Sequence, residues 1–243
     1  MKRILFLFLI LLVVFESCSN NNNSKKRERD LLLGLFLAQN SSVYEQADCQ
    51  LYYQLNPAYV AGGYAERFIS DRNQYEVILV GNSTIDISHK YPGYYDPVRT
   101  QINATSGDTL CDYRSRVGKS INTTSPQVII TATVGGNDLL RAISNERIVE
   151  TFRDYHSYLS KRFTSTKLIY VEVHPTFVDR ANANRKIISA QMRAHSTDAC
   201  WVDTDSCFSN PLLESQMLDS IHYDRVRAFC IKDLVKTQCG VSF

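Results

Sequence analysis

From Tyr75 onward the chain alternates between short apolar, β-prone runs and longer segments with apolar residues at helical spacing. Tyr75 to Val80 is the first run, and it breaks abruptly at Gly81-Asn82-Ser83. Val98 to Asn103 reads as a second short strand, ending at the polar break Ala104 to Thr109. Pro126 to Val134 has the β-branched composition of a central strand buried on both faces. Lys167 to Val173 and Ala199 to Asp203 supply a fourth and a fifth strand. Helical patterns fill the gaps: about Asp108 to Val117, the segment after Gly135 to about Phe163, Val178 to His195, and Arg225 to Lys236. In the longest of these, Leu139, Leu140, Ile143, Ile148, Phe152 and Leu159 fall near one face. Strands alternating with helices of this length predict an α/β fold, a three-layer α/β/α sandwich around a central parallel sheet of about five strands.

Upstream the pattern changes. Val43 to Leu55 carries Tyr44, Leu51, Tyr52 and Leu55 at mixed helical spacing and predicts a helix up to Asn56-Pro57. Asp30 to Ala38 is Leu-rich and reads as a short helix or as part of a tether. At the start, Lys2 and Arg3 precede the apolar run Ile4 to Phe15, too short to span a bilayer stably and suited to a signal peptide. That run ends in Phe15-Glu16-Ser17-Cys18, followed by a polar Asn-rich stretch. A small residue and then Cys resembles a bacterial lipoprotein cleavage site. On that reading residues 1–17 are removed, Cys18 is lipidated, residues 18–42 form a polar tether, and residues 43–243 form the domain. The protein is then expected in the bacterial cell envelope, held to a membrane by its lipid. A soluble secreted protein cut nearby is the alternative.

Composition narrows the function classes. Of 243 residues 44% are hydrophobic and 21% charged, an ordinary globular balance, and the formal net charge is +2. Loss of residues 1–17 removes two bases and one acid, leaving 25 basic against 24 acidic residues. No basic stripe points to nucleic acid. Apart from Cys18 there are six cysteines, at 49, 111, 200, 207, 230 and 239. An even number in an exported chain predicts disulfides. The simplest of fifteen possible pairings joins the local neighbours Cys200–Cys207 and Cys230–Cys239 and leaves Cys49–Cys111. No Cys-x-x-Cys occurs, and no His stands at ligand spacing from a Cys pair, so no metal site is predicted.

The chemistry-bearing residues collect at strand ends. Gly81-Asn82-Ser83, Ser106-Gly107 and Gly135-Gly136-Asn137-Asp138 each follow a predicted strand. A parallel sheet brings such segments to one rim, where active sites of open α/β sheets form. Acyl transfer needs a serine hydroxyl, a general base, a group orienting the base and donors for the oxyanion. In Asp219-Ser220-Ile221-His222 a carboxylate three residues before an imidazole can accept its Nδ1–H and leave Nε2 for the serine proton. Gly118-Lys119-Ser120 lacks the earlier glycine of a phosphate-binding loop, with Tyr113 in its place. A Gly-x-Ser-x-Gly elbow is absent as well.

In the order and placement of these four blocks, residues 75 to 237 resemble the SGNH (GDSL-type) esterase and lipase superfamily, whose fold is flavodoxin-like. The resemblance implies Ser83 as nucleophile, His222 as base and Asp219 as its orienter. It implies an oxyanion hole from the backbone N–H groups of Ser83 and Gly107 with the Asn137 amide, and no metal or organic cofactor. The implied substrate is a carboxylic ester, a lipid acyl ester or a carbohydrate O-acetyl ester. The chain departs from the family at Asn82, where Asp is usual, and at Thr84, where Leu is usual. Asn82 can hold the turn as an aspartate would, and it is a candidate to line the pocket; His174, at the end of the fourth strand, is a second candidate, with a polar loop residue as its favoured reading. Because Asn82 is neutral, a second reading stays open: a non-catalytic surface lipoprotein of the same fold that binds a carbohydrate, lipid or host ligand.

Overall fold

The computed structural model describes residues 75–120 and 126–243. The predicted signal peptide, Cys18, the tether, the helix at 43–55 and Cys49 lie outside the described residues. All described residues fall within the unit Asn40–Phe243.

Five parallel strands form one sheet: β1 Val77–Gly81, β2 Thr100–Ala104, β3 Val128–Thr131, β4 Lys167–Val171 and β5 Cys200–Val202. Their order across the sheet is β2-β1-β3-β4-β5. The chain winds outward from β1 in one direction to β2 and in the other to β3, β4 and β5. Between β1 and β3 the winding reverses, and the crevice above such a switch point is where ligands of open α/β sheets bind. Register is regular, with Val77 opposite Thr100 on one side and Val128 on the other.

The period-two alternation of the strands sorts the core onto two faces. Ile78, Val80, Ile129, Leu168 and Tyr170 face one side. There they pack against α2 (Leu110–Ser120), α4 (Asn145–Arg162) and α5 (Asp179–Ala194), with α3 (Gly136–Leu140) beside them. Val77, Leu79, Ile130, Ile169, Val171 and Val202 face the other side, covered by α1 (Ser83–Ser88) and α6 (Arg225–Cys239). Two short 3₁₀ turns, Asp205–Cys207 and Glu214–Gln216, lie between β5 and α6. The α/β/α layering predicted from the sequence is the observed one.

The structure corrects two expectations. The helical pattern running to Phe163 is not one helix: α3 stops at Leu140, Ala142 adopts a left-handed φ of 59°, and Ser144 caps α4 by accepting from the Arg147 N–H. The apolar spacing persists across the break because α3 and α4 face the same core. The disulfides are Cys200–Cys239 and Cys207–Cys230, not the local pairs. Cys230 and Cys239 sit on one helix nine residues apart, about 13 Å along its axis. A disulfide tolerates a Cα separation of only about 4.4–6.8 Å. Each therefore reaches across from α6, Cys239 to β5 itself and Cys230 to the 3₁₀ turn after it. Cys111 is also disulfide-bonded.

Candidate active site

The site begins where β1 ends. A Cβ added at Gly81 would lie 2.4 Å from Ile85 Cγ1, so the turn into α1 closes only with glycine. Asn82 follows in extended conformation and caps α1, its Oδ1 accepting from the Thr84 N–H at 3.1 Å and from the Thr84 hydroxyl at 2.9 Å. Ser83 is therefore the first residue of the helix, where its N–H has no intrahelical acceptor. Asn82 Oδ1 only accepts, so Thr84 spends its hydrogen there and receives one from Thr133, 2.8 Å away. Thr133 is a β-branched residue with a left-handed φ of 54°, a conformation costing about 1–3 kcal/mol. This hydroxyl chain ties the turn at Ser83 to the loop that leads into α3.

The loop before α6 brings the second half. Asp219 Oδ1 accepts from the backbone N–H groups of Ile221 and His222, both at 2.7 Å. Its Oδ2 stands 2.7 Å from His222 Nδ1, and His222 Nε2 stands 2.7 Å from Ser83 Oγ. A carboxylate can only accept, so Nδ1 bears the hydrogen and Nε2 receives the serine hydroxyl. Burial alone would raise the Asp219 pKa, but hydrogen bonds from the His222 ring and from both backbone amides outweigh it and hold the carboxyl below its usual range. The loop is closed by a bridge between Met217 and Tyr223 and by the Leu218 N–H donating to the His222 carbonyl at 2.6 Å.

The second and third motifs meet at the same rim. Asn137 Nδ2 donates to the Asp108 carbonyl at 2.7 Å, which uses one of its two amide hydrogens and fixes the group. Arg141 donates to the Gly107 carbonyl at 2.8 Å, and Asp138 accepts from the Leu110 N–H at 3.1 Å. Burial pushes the Arg141 guanidinium down to about 10, still cationic at neutral pH. Ser106 donates to Asp86 Oδ2 at 2.9 Å, linking the Gly107 loop to α1. A Cβ at Gly136 would meet Thr133 Cγ2 at 2.7 Å, so the turn that presents Asn137 also excludes a side chain there.

Ser83, Asp219 and His222 thus stand in one hydrogen-bonded line. Asn82 and His174 do not line an open pocket; each is only 2% exposed. Asn82 is a cap, and His174 Nε2 contacts the Ile221 carbonyl at 2.7 Å, behind the loop. Thr84, Thr133, Asp86 and Arg141 were not foreseen. Only Thr84 had a sequence signal, as a departure from the family pattern; the left-handed φ of Thr133 had none.

The arrangement can move a proton from a serine hydroxyl to an imidazole whose tautomer a carboxylate fixes. No protein-family model matches the chain, and no curated protein matches it in sequence. Solved structures match it in fold. A GDSL-like lipase from Bacteroides thetaiotaomicron superposes with a TM-score of 0.57 at 14% identity, covering 77% of this chain and 95% of that one. A structure described as a putative platelet activating factor from Streptococcus pneumonia gives 0.58 at 12% identity, covering 77% and 94%. A catalytic mutant of an acetylxylan esterase from Geobacillus stearothermophilus gives 0.55 at 12% identity, covering 70% and 98%. The five-stranded parallel sheet and its helices are therefore arranged as in the GDSL-like lipases and acetylxylan esterases.

Proposed function

We propose that the protein is a serine hydrolase of carboxylic esters. The observation that carries the reading is the line Ser83 Oγ–His222 Nε2–Asp219, with 2.7 Å at each link. The Ser83 oxygen attacks the ester carbonyl while its proton passes to His222 Nε2. The oxyanion that forms is met by the N–H groups of Ser83 and Gly107 and by the remaining hydrogen of the Asn137 amide. Loss of one such donor typically costs about 10²- to 10³-fold in kcat. Collapse breaks the bond to the alcohol oxygen, which leaves with the proton from His222. Water, deprotonated by the same nitrogen, then attacks the acyl-enzyme and frees the acid and Ser83. The residues need neither metal nor organic cofactor for these steps. The ester is a lipid acyl ester or a carbohydrate O-acetyl ester, the two classes represented among the proteins of similar fold. With Cys18 lipidated, the enzyme would work at the bacterial envelope, on the periplasmic face or the cell surface.

The first prediction tests this directly. Ser83→Ala should reduce hydrolysis of a short p-nitrophenyl ester at least about 10⁴-fold and abolish labelling by a fluorophosphonate, with the circular dichroism unchanged. Wild-type protein that is folded yet neither turns over ester nor takes the label would favour the non-catalytic ligand-binding reading instead.

A further inference from the structure

We infer that His174 is a positioning residue for the proposed hydrolase, its ring N–H clamping the loop that carries Asp219 and His222. The inference rests on the reading above.

The loop 219–222 is held from two sides. From within, the Asp219 carboxylate takes the N–H groups of Ile221 and His222. That leaves the carbonyls of Ser220 and Ile221. Both are met by the segment between β4 and α5: the Phe177 N–H donates to Ser220 at 3.0 Å, and His174 Nε2 reaches Ile221 at 2.7 Å. A carbonyl only accepts, so the His174 hydrogen is on Nε2. Nδ1 is buried with no hydrogen-bond partner among the described residues, so the ring contributes one bond, to the catalytic loop.

The ring is fixed in turn. Phe208 stacks on it at 5.8 Å and 19°, and Tyr223 meets it edge-on at 4.6 Å and 81°. Phe208 follows Cys207, which is bonded to Cys230 in α6. Burial, chiefly, drives the His174 pKa down to about 4, and the nearby His222 pushes the same way. The ring therefore stays neutral while His222 gains and loses its proton, and adds no charge of its own beside the imidazolium. The clamp acts on placement. Asp219 is 53% exposed at its side chain, so the outer half of the triad depends on its loop for position. A displacement of about 1 Å at a reacting group costs about 10²-fold in rate.

Two substitutions separate clamping from filling space. His174→Gln places an amide N–H near the position of Nε2, whereas His174→Phe fills the ring site without a donor. On a short acyl p-nitrophenyl ester, His174→Phe should lower kcat about 10- to 100-fold with KM changed less than about twofold, and His174→Gln should return to within about fivefold of wild type. Should His174→Phe fail to fold, His174→Met removes the donor at similar bulk. Wild-type kcat in the donor-free variant, or equal impairment in both variants, would overturn the clamp. The downfield Nδ1–H proton resonance of His222 gives a readout without turnover: it should be sharp in wild type and His174→Gln, and broadened by exchange in the donor-free variant. An inert wild type with this pattern refutes the hydrolase and keeps the clamp. An active wild type with a sharp resonance in every variant does the reverse.

Discussion

At the scale of single residues, the departure that matters most is Asn82. Its role in the structure is to accept, from the N–H and the hydroxyl of Thr84. An aspartate could accept both bonds equally, so the neutral amide caps α1 as an aspartate would. Asn82→Ala removes the cap and should cost about 1 kcal/mol of stability together with a fall in kcat, because the backbone at Ser83 loses its anchor. Asn82→Asp should keep kcat/KM within about tenfold of wild type. A hundredfold gain in the aspartate variant would show instead that the amide weakens the site. The hydrogen-bonded pairing of Asp219 with His222 was legible in the sequence because a three-residue spacing within one loop is local geometry. The partnership of Thr84 with Thr133 was not, because it spans 49 residues and depends on a backbone conformation that a threonine rarely adopts.

At the scale of elements, the β3–α3 connection places both Asn137, the proposed oxyanion donor, and a buried acid. Asp138, in the first turn of α3, is 3% exposed. Burial pushes its pKa up to about 7; the hydrogen bond from the Leu110 N–H opposes this, and the nearby Asp112 reinforces it. In the unfolded chain an aspartate titrates near 3.9. Between those two values the folded state keeps a proton that the unfolded state has released. The contribution to stability is therefore full below about pH 4 and is lost as pH rises through 7. Asp138→Asn retains an acceptor for Leu110 and cannot ionise. The melting temperature of the variant relative to wild type should thus be higher at pH 8 than at pH 5, by an amount corresponding to about 2–3 kcal/mol. Thermal melts at the two pH values decide it; an offset independent of pH would mean that the carboxyl does not titrate in this range. The positions of β1 and β3 were legible because fully buried parallel strands are unmixed apolar runs; β2, with Thr100, Gln101 and Asn103, is not such a run. The break between α3 and α4 was not, since Ala142 carries no turn signal and the apolar spacing runs through it.

At the scale of the whole molecule, the sequence carried the alternation of strands and helices but not the strand order, which depends on how the crossovers pack rather than on any one segment. Nor did it carry the disulfide pairing: the predicted helix ends at Lys236, and only its continuation to Cys239 forbids Cys230 from joining Cys239. The observed pairs are nested: Cys200–Cys239 closes 39 residues and Cys207–Cys230 closes 23, and both enclose Asp219 and His222. The outer bond fixes the end of α6 to β5. The inner bond fixes the segment bearing Phe208, against which His174 stacks, to the helix that follows loop 219–222. Either loop length corresponds to about 3–4 kcal/mol in the chain-entropy view. Removing either pair by double Cys→Ser substitution should therefore lower the melting temperature by about 6–16 °C. The two should differ in activity. Cys207→Ser/Cys230→Ser frees the support of the catalytic loop and should lower kcat at 25 °C, whereas Cys200→Ser/Cys239→Ser should leave kcat within about twofold of wild type, because the outer bond touches nothing that holds the triad. Steady-state kinetics on the two variants, both folded at 25 °C, check the distinction; equal losses would mean that the disulfides support the site only through overall stability.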